Sequence, residues 1–402
     1  MTSLTLISVI LGSSLALLTL PGTIELVLLT LGGLLPSRRL PKTNASLAPR
    51  HIAVVVPAHN EETDIARCVT SLLACDQPTG QFSVYVVADN CTDNTAACAR
   101  AAGAEVLERH DAEQRGKGYA LDYAFNILLK QPIDAVLIID ADTVVEANFI
   151  CACEQVFADG ADAVQCRYTV NNPQASKRTR LMHVALLAFN VLRPRGRERW
   201  GFSVGISGNG FGLSRSVLQS VPYCARSVVE DLEYHLALVR ADRRVRFVDT
   251  TTVRADMPTE QGGTDSQRAR WEGGRLRMMR EQIPVLMRAV LTGHKRLLEP
   301  LLELLLLPLA WHVLLLLITL LIPFGLTQSY ALFGLGLVIG YVLAALWVGG
   351  GIFKDLVALI SVPFYIVWKL TRLPRLLKTA HKEATWVRTE RESSQISPKR
   401  KK

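Results

Sequence analysis

Two carboxylates, Asp140 and Asp142, stand one residue apart at the end of the apolar run 135–139. On an extended strand end, residues i and i+2 project on the same side, so both carboxylates can reach one divalent ion. Oxygen ligands suit Mg²⁺ or Mn²⁺, which usually bind through one or two carboxylates together with the phosphates of a substrate. An isolated Asp-x-Asp is also typical of a cap on the following helix. The rest of the chain favours the metal.

The composition of the chain indicates membrane segments at both ends. Apolar residues make up 49% of the 402 residues and charged residues only 20%, which is too apolar for an ordinary soluble domain. The apolar residues concentrate in two end blocks, and each block exceeds the ~20 apolar residues that a spanning helix needs. We therefore predict a soluble domain, residues 50–275, between an N-terminal transmembrane segment, 1–36, and a C-terminal transmembrane or re-entrant region, 297–370.

Charges beside the apolar blocks predict the orientation in the membrane. No basic residue precedes the N-terminal run and no small-residue cleavage site follows it, which disfavours a cleaved signal peptide. Arg38, Arg39 and Lys42 follow the run directly, and by the positive-inside rule they put the soluble domain in the cytoplasm. The strongly basic tail, 371–402, should be cytoplasmic as well. We therefore expect a multi-pass protein of the inner cell membrane.

Three apolar stretches make up the C-terminal region: 298–323, 331–348 and 356–368. A cytoplasmic tail requires an even number of crossings after the soluble domain, so we predict two full spans. The third stretch is the shortest and contains Pro363, and we assign it as a re-entrant or interfacial segment. Residues 276–296 mix basic and apolar side chains, as an amphipathic helix at the membrane interface does.

The net charge of +9 indicates an anionic partner. No aromatic-basic RNA signature or zinc module accompanies the basic residues, so we expect no nucleic acid as partner. Anionic headgroups of membrane lipids explain the charges beside the membrane better. The Arg-rich stretch 193–199 could attract an anionic ligand, although we expect it to be a solvated loop.

Within the soluble domain, strand-like runs alternate with helical patterns. Four runs have the character of strands: residues 51–56, 82–88, 105–107 and 135–139. Such alternation predicts an α/β fold with a mainly parallel sheet, in which ligands bind at the carboxyl ends of the strands. Polar clusters follow Val56, Val87 and Ile139, so all three are expected at one edge of the sheet.

Five motifs occur in a fixed order along this domain, at residues 54–61, 86–89, 140–142, 229–231 and 267–271. In this order they resemble the motifs of family 2 glycosyltransferases. The resemblance is greatest to the membrane-embedded synthases of cellulose, hyaluronan and poly-N-acetylglucosamine, and it covers residues 52–271. It implies a hexosyltransferase with a GT-A (Rossmann-like) domain that binds a nucleotide sugar on a mixed, mainly parallel sheet, with Mg²⁺ or Mn²⁺ as cofactor.

The resemblance assigns the donor side of the site. The turn after the first strand, which includes Pro57, His59 and Glu61, is implied to hold the nucleotide, and Asp89 to accept a hydrogen bond from its uracil. Asp142 is implied as the direct metal ligand, and Asp140 as a contact to metal, sugar or ribose. A glycine-flanked basic turn places Lys117 before a predicted helix, where its charge can meet a diphosphate, although such turns are also common on surfaces.

The acceptor side includes a predicted base. An inverting transfer needs a carboxylate to take the proton of the acceptor hydroxyl, and the resemblance implies Asp231, with Glu230 as its neighbour in the site. Taken singly, the pair also fits an exposed acidic helix start. The turn formed by Gly208, Asn209 and Gly210 is implied to line the sugar pocket, and its spacing alone fits a plain turn equally.

The motif at 267–271 is implied to form the other wall of the pocket. Trp271 can stack on a sugar ring, Arg270 can hold a diphosphate in a bidentate grip, and Gln267 can hydrogen-bond sugar or phosphate. In related synthases the motif accompanies processive chain synthesis. It predicts transfer from a nucleotide sugar, UDP-linked by resemblance, to a growing exopolysaccharide or capsule polymer, with partner proteins for polymer export.

Two alternatives remain open at the level of the sequence. A non-processive enzyme could share the same motifs and add one sugar to a polyprenyl phosphate or another lipid-linked acceptor. A catalytically silent membrane scaffold could keep the same fold, although every expected acidic position and the tryptophan are present.

Overall fold

The computed structural model describes residues 3–36, 51–225, 229–259 and 261–350, without the side chains of residues 4 and 261–272. The strands in this part of the chain are β1 (His51–Ala58), β2 (Gln81–Asp89), β3 (Glu105–Arg109), β4 (Ala135–Ile138), β5 (Thr143–Val145), β6 (Ala163–Val170), β7 (Phe211–Ser214) and β8 (Val245–Ala255). The helices are α1 (Ser3–Leu34), α2 (Ile65–Leu73), α3 (Thr95–Ala101), α4 (Lys117–Leu128), α5 (Phe149–Ala158), α6 (Lys177–Leu187), α7 (Arg193–Trp200), α8 (Arg215–Ser220), α9 (Glu230–Arg240), α10 (Gln261–Leu291), α11 (Leu298–Leu305), α12 (Leu309–Leu321) and α13 (Gly325–Gly349).

All described strands belong to one mixed sheet with the order β3-β2-β1-β4-β7-β6-β8-β5. The four strands predicted from the sequence are β1 to β4, and they lie side by side and parallel. Beyond β4 the sheet continues through β7, which runs antiparallel to both β4 and β6. The predicted α/β fold with a mixed sheet is confirmed.

Strand β1 shows why the parallel half forms. Its central residues are all fully buried, and alternate side chains point to opposite faces of the sheet. Ile52, Val54 and Val56 join the apolar core on one face, whereas Ala53 and Val55 join the core on the other. A strand covered by helices on both faces needs such a continuous apolar run.

Two described helices are long and apolar enough to cross a membrane. One is residues Thr5–Leu34 of α1, which continues as a single helix through Pro21. The other is α13, which includes the predicted stretch 331–348. The basic tail and the third apolar stretch, 356–368, lie outside the described residues.

The stretch 298–323, which we predict to be a full span, is divided between two helices. It forms α11 and α12, whose axes are bent by 74° across residues 306–308, as in a broken span or a re-entrant loop. Pro308 precedes α12 and has no backbone N–H, so a continuous helix would lose a hydrogen bond there. The bend therefore lies in the first apolar stretch of the C-terminal region.

Helix α10 begins earlier than the interfacial helix predicted over 276–296. It starts at Gln261 and therefore carries the motif 267–271 on the same helix as the amphipathic residues. The predicted division at residue 275 falls inside this helix. As a division into domains it stays a prediction.

The Arg-rich stretch 193–199 is not the solvated loop that its composition indicates. It forms most of α7, which packs directly against α1. A Cβ on Gly196 would lie 2.5 Å from the carbonyl oxygen of Leu29, so only glycine allows this approach. The indole N–H of Trp200 donates to the carbonyl oxygen of Leu28 over 2.8 Å.

A group of buried charges, which we call the buried ion cluster, explains why two arginines of α7 can be buried. It consists of Glu25 from α1, Arg193 and Arg197 from α7, and Glu299 and Glu303 from α11. Arg193 Nη2 lies 2.7 Å from the Glu25 carboxylate. Arg197 reaches all three glutamates, with Nε 2.7 Å from Glu299 Oε1 and Nη2 3.2 Å from Glu303 Oε2 and 3.3 Å from Glu25 Oε1. The cluster joins the first helix, the sheet domain and the bent pair.

Candidate active site

Four segments that are distant in sequence meet at Lys117. Its Nζ donates to Oδ1 of Asp140, which follows β4, and to the carbonyl oxygen of Gly208, which precedes β7. The carboxylates of Glu230 and Asp231, at the start of α9, also act on this amine. Burial lowers the pKa of Lys117, but the attraction of the three carboxylates outweighs burial and raises it overall. The amine is therefore a cation at neutral pH.

The predicted Gly-Asn-Gly turn has a conformation that other residues would strain. Gly208 and Gly210 have φ values of +76° and +70°. A Cβ on Gly210 would lie 2.6 Å from Val253 Cγ2, so this position also lacks space for a side chain. A Cβ on Gly208 would stand 3.4 Å from Asp231 Oδ2, which shows how closely the turn approaches the predicted base. The turn is thus part of the site's wall.

Asn209 fixes the geometry of the acidic motif. Its side chain is fully buried, and its Nδ2 donates to Thr143 Oγ1 over 2.8 Å. Its Oδ1 accepts the backbone N–H of Asp140 over 3.1 Å. The amide therefore ties the turn before β7 to both ends of the segment that contains Asp140 and Asp142.

The acidic motif itself is not an extended strand end. Strand β4 ends at Ile138, and residues 140–143 close a turn in which Thr143 N–H donates to the carbonyl oxygen of Asp140 over 3.0 Å. The alternation expected of a strand does not apply there. Asp142 is buried and accepts from the hydroxyl of Thr143 over 3.4 Å. Its role as metal ligand, with Asp140 beside it, stays a prediction.

The chemistry of these donors fits a hard divalent cation. Both side chains offer carboxylate oxygens, which Mg²⁺ and Mn²⁺ prefer. Within the described part of the chain, no group of three or more His, Cys, Asp or Glu side chains is arranged to hold a metal. A site with two carboxylates requires further oxygen ligands from water or from a bound diphosphate.

The last residues of β1 and β2, with the turn that follows β1, contain the residues predicted to hold the nucleotide: Pro57 lies within β1, and Asp89 ends β2. Pro57 lies beside Val87 in the parallel register. The imidazole Nδ1–H of His59 donates to the carbonyl oxygen of Asp89 over 2.7 Å. The backbone N–H of Glu61 donates to the hydroxyl of Thr95 over 2.8 Å. These contacts fasten the two turns to each other at the carboxyl edge of the sheet.

Arg109 was not identified from the sequence. The carboxylate of Asp89 is buried and accepts from Arg109 Nη1 over 2.7 Å. The same guanidinium donates to the carbonyl oxygen of Gln114, also over 2.7 Å, and to Asp111 Oδ2 over 3.1 Å. Arg109 therefore holds in place the Asp89 carboxylate, which we predict to accept a hydrogen bond from the uracil of the nucleotide. Its position at the end of β3, opposite Asp89, follows from strand register.

Gln165 is a second residue that the sequence reasoning missed. It is buried in β6, and its Nε2 donates to the carbonyl oxygens of Asn209 and Gly210 over 2.8 and 3.2 Å. Its Oε1 accepts the backbone N–H of Ser207 over 2.9 Å. One side-chain amide thus hydrogen-bonds three backbone groups of the turn. A glutamine within the apolar run 163–166 was the available signal, because buried polar groups are hydrogen-bonded.

Glu230 and Asp231 are the first two residues of α9. Asp231 Oδ1 accepts the backbone N–H of Leu232 over 2.8 Å. Burial raises the pKa of Asp231, which makes its carboxylate a stronger base than a solvated aspartate. Burial and the neighbouring charge of Asp231 raise the pKa of Glu230 to about 7. The pair combines a proton acceptor with a carboxyl group that is partly protonated at neutral pH.

His235 follows Asp231 by one helical turn but takes no proton from it. It is fully buried, and its Nε2 lies 2.9 Å from Ser203 Oγ. Burial lowers the pKa of His235 to about 4, so the imidazole is neutral in the physiological range. Its contacts make it a packing residue of α9.

The raised pKa of Glu230 predicts a stability that falls with pH. In the folded protein the carboxyl keeps its proton up to about pH 7, whereas in the unfolded chain it ionises near 4.5. The unfolded chain is therefore favoured as the pH rises between these values. At pH 8, Glu230→Gln should increase the free energy of unfolding by up to about 3 kcal/mol and so raise the unfolding midpoint. At pH 4 it should leave the midpoint unchanged. Thermal unfolding in detergent measures both.

Glu233→Gln is the matched control, because Glu233 is partly exposed in the same first turn of α9. It should shift the midpoint equally at both pH values. A Glu230→Gln variant that is no more stable than the wild type at pH 8 contradicts the prediction.

Gln267, Arg270 and Trp271 belong to α10, but their side chains lie outside the described residues. Their predicted contacts with sugar and diphosphate stay predictions. The helix that carries them begins at Gln261, shortly after β8 ends at Ala255.

Comparison with known proteins identifies the family of the domain that contains this site. Residues 49–274 match the model of the family described as glycosyltransferase like family 2. A probable glycosyltransferase of Bacillus subtilis, YdaM, is 24% identical over 252 residues, which are 59% of this chain and 58% of that protein. A β-monoglucosyldiacylglycerol synthase of Synechocystis sp. is 27% identical over 240 residues, 58% of this chain and 49% of that protein. The chain thus spans about half the length of the curated relatives it matches.

A solved structure shows the same architecture. The mannosyltransferase PcManGT from Pyrobaculum calidifontis, in complex with GDP-Man and Mn²⁺, superposes with a TM-score of 0.53. The similarity covers 83% of this chain and 97% of that one, at 17% sequence identity, and so bears on the fold. The GT-A fold expected from the motifs is confirmed. Because the family model covers more than half of its residues, the chain belongs to glycosyltransferase family 2.

Proposed function

We propose that this protein is an inverting glycosyltransferase of the inner cell membrane, where it spans the bilayer more than once. It transfers a hexose from a nucleotide sugar, UDP-linked by resemblance, to an acceptor hydroxyl. One observation carries the proposal: Lys117, Asp140, Gly208 and Asp231 come from four distant segments and converge on one place. That place lies at the carboxyl edge of the parallel strands, where α/β sheets bind ligands.

The residues divide between the two ends of the reaction. Lys117, at the first position of α4, offers its cationic amine to the diphosphate. Asp140 and Asp142 would hold Mg²⁺ or Mn²⁺, which neutralises charge on the leaving diphosphate when bound. PcManGT was solved with GDP-Man and Mn²⁺, and we propose ligands of the same classes here. Pro57, His59, Glu61 and Asp89 hold the nucleotide.

Asp231 takes the proton of the acceptor hydroxyl as the transfer proceeds. The acceptor oxygen forms its bond to the anomeric carbon while the bond from that carbon to the diphosphate oxygen breaks. The electron pair of the broken bond leaves with the diphosphate, and the hydroxyl proton moves to Asp231. Its raised pKa supports this role, because a stronger base accepts a proton more readily.

Two acceptors are supported by different observations. The motif at 267–271 favours a growing exopolysaccharide or capsule polymer, with Trp271 stacked on its last sugar and partner proteins for export. The described part has two helices that could span a membrane and one bent pair, which favours a single transfer to a lipid-linked acceptor. Relatives named β-monoglucosyldiacylglycerol synthase favour the same alternative. Product length separates the two: a polymer ladder in the first case and one added sugar in the second.

The activity can be tested with purified protein in detergent. We expect one member of a panel of UDP- and GDP-sugars to release nucleotide diphosphate, with loss in EDTA and recovery in Mn²⁺. Asp142→Asn removes a ligand charge, so it should weaken Mn²⁺-dependent nucleotide binding at least ~10-fold together with turnover. Calorimetric titration of the nucleotide with and without Mn²⁺ measures this.

Asp76→Asn serves as control, because Asp76 is exposed three residues after α2 and lies in none of the four converging segments, and it should behave as the wild type. Normal Mn²⁺-dependent binding by Asp142→Asn contradicts the metal assignment. Absence of release with every donor, from folded protein, favours a silent scaffold and overturns the proposed activity.

A further inference from the structure

Helix α10 touches the start of α9 through a residue without a side chain. A Cβ built on Gly274 would lie 2.5 Å from Cγ1 of Val229 and 3.3 Å from its Cγ2. Val229 is buried and directly precedes Glu230 and Asp231 as the N-cap residue of α9. The backbone of α10 therefore packs against the residue that directly precedes α9.

The next residue of α10, Arg275, binds the end of α11. Arg275 Nη2 donates to the carbonyl oxygen of Glu303 over 2.6 Å and to that of Leu306 over 3.3 Å. Leu306 is the C-cap of α11 and has extended backbone, so these carbonyls stand at the bend before α12. The last carbonyl groups of a helix lack partners within it, and a cation is favoured there. Arg275 thus caps α11 where the pair bends.

A shared apolar core links the same three helices. Val229 at the start of α9, Met278 of α10, and Leu301 and Leu304 of α11 are buried in one cluster. A close-packed contact of this kind transmits displacements, because a core cannot absorb volume changes without movement. The bend, α10 and the start of α9 are therefore mechanically connected.

We propose that the turn of α10 at Gly274 and Arg275 is a positioning element. It couples the bend between α11 and α12 to the position of Asp231 in the active site. This inference rests on the proposed function, in which Asp231 is the base. Neither residue touches the reacting atoms: Gly274 acts through Val229, and Arg275 acts through the end of α11.

The chain offers a matched pair of variants to test it. Gly273 and Gly274 are neighbours in the same helix, and alanine favours a helix over glycine by about 1 kcal/mol at either position. A Cβ on Gly273 would meet no other described atom within 4 Å, whereas one on Gly274 collides with Val229. Gly274→Ala should lower kcat at least ~10-fold and leave the donor KM and Mn²⁺-dependent nucleotide binding unchanged. Gly273→Ala should match the wild type.

Second-site changes separate positioning from general damage. Val229→Ala removes both Cγ atoms that Gly274→Ala strikes, so the double variant should recover most of kcat. Arg275→Ala should lower kcat per folded enzyme, and Arg275→Lys should restore part of it through one carbonyl contact. Wild-type kcat in Gly274→Ala, or no recovery in the double variant, overturns the inference.

A measurement without turnover keeps this test independent of the proposed function. In a double-mutant cycle of unfolding midpoints, Gly274→Ala and Val229→Ala should be non-additive, because the second change relieves the collision of the first. Additive midpoints overturn the coupling. Absence of diphosphate release by the wild type with any donor instead overturns the proposed activity, and the cycle still reports whether α10 and α9 are coupled.

Discussion

Asp231→Asn should abolish sugar transfer while nucleotide binding persists. Asparagine has nearly the same size and can still accept the backbone N–H of Leu232, so the start of α9 should keep its structure. It cannot take a proton from the acceptor hydroxyl, and general-base help is worth ~10²–10⁴-fold in rate. Transfer per folded enzyme, measured beside nucleotide affinity, gives the result.

The pH dependence adds a second readout for the same residue. Because the pKa of Asp231 is raised by burial, its carboxylate is protonated at a higher pH than usual, and kcat/KM should fall as the solution is acidified from neutral pH. The residual rate of Asp231→Asn should lack this dependence. Glu233→Gln, in the same helical turn, should keep both the rate and the profile. Transfer at the wild-type rate by Asp231→Asn disproves the base assignment.

Arg197→Met should strongly destabilise the protein. Its side chain is 4% exposed, and its guanidinium reaches all three glutamates of the buried ion cluster. Burial lowers the pKa of Arg197, but the three carboxylates outweigh burial and raise it, so the side chain is always charged. Removing one partner from a buried ionic group costs about 3–5 kcal/mol, because the other charges stay buried. The unfolding midpoint in detergent should fall accordingly.

Arg199→Met is the control for this prediction. Arg199 lies two residues further along α7 and is partly exposed, so its loss should change the midpoint little. Equal midpoints for the two variants contradict a stabilising role for the cluster. Arg197→Lys should fall between them, because a single ammonium cannot reach three carboxylates in a fixed geometry.

The parallel half of the sheet can be predicted from the sequence, whereas the antiparallel half cannot. Strands β1, β2 and β4 contain apolar runs, short helices separate β1 to β4, and this local alternation predicts a parallel sheet. Strand β7 pairs with β4 so that Ala135 stands opposite Ser214. That pairing depends on packing between distant segments, and no local pattern encodes it.

The candidate active site likewise contains residues that the sequence predicts and residues that it does not. Asp140, Asp231 and the Gly-Asn-Gly turn can be found because their motifs are contiguous and stand at predicted strand or helix ends. Arg109 and Gln165 matter through their neighbours across the sheet, which only strand register reveals. The turn that contains Asp142 also differs from its pattern, because β4 ends earlier than its apolar run.

Two segments show where composition misleads. Arginines at 193–199 suggest water, yet Arg193 and Arg197 are buried because glutamates from α1 and α11 neutralise them. The apolar stretch 298–323 suggests a straight span, yet it bends before Pro308. In both cases a single residue or a distant partner determines the local structure, and the average composition of the segment does not reveal it.

The partners of Glu25 have a consequence for biogenesis. Residue 25 is synthesised 168 positions before Arg193, its first basic partner in the cluster. During that interval α1 carries Glu25 without its two arginine partners, and a buried carboxylate without a partner is costly. The final packing of α1 therefore depends on residues of the α/β domain that are translated later.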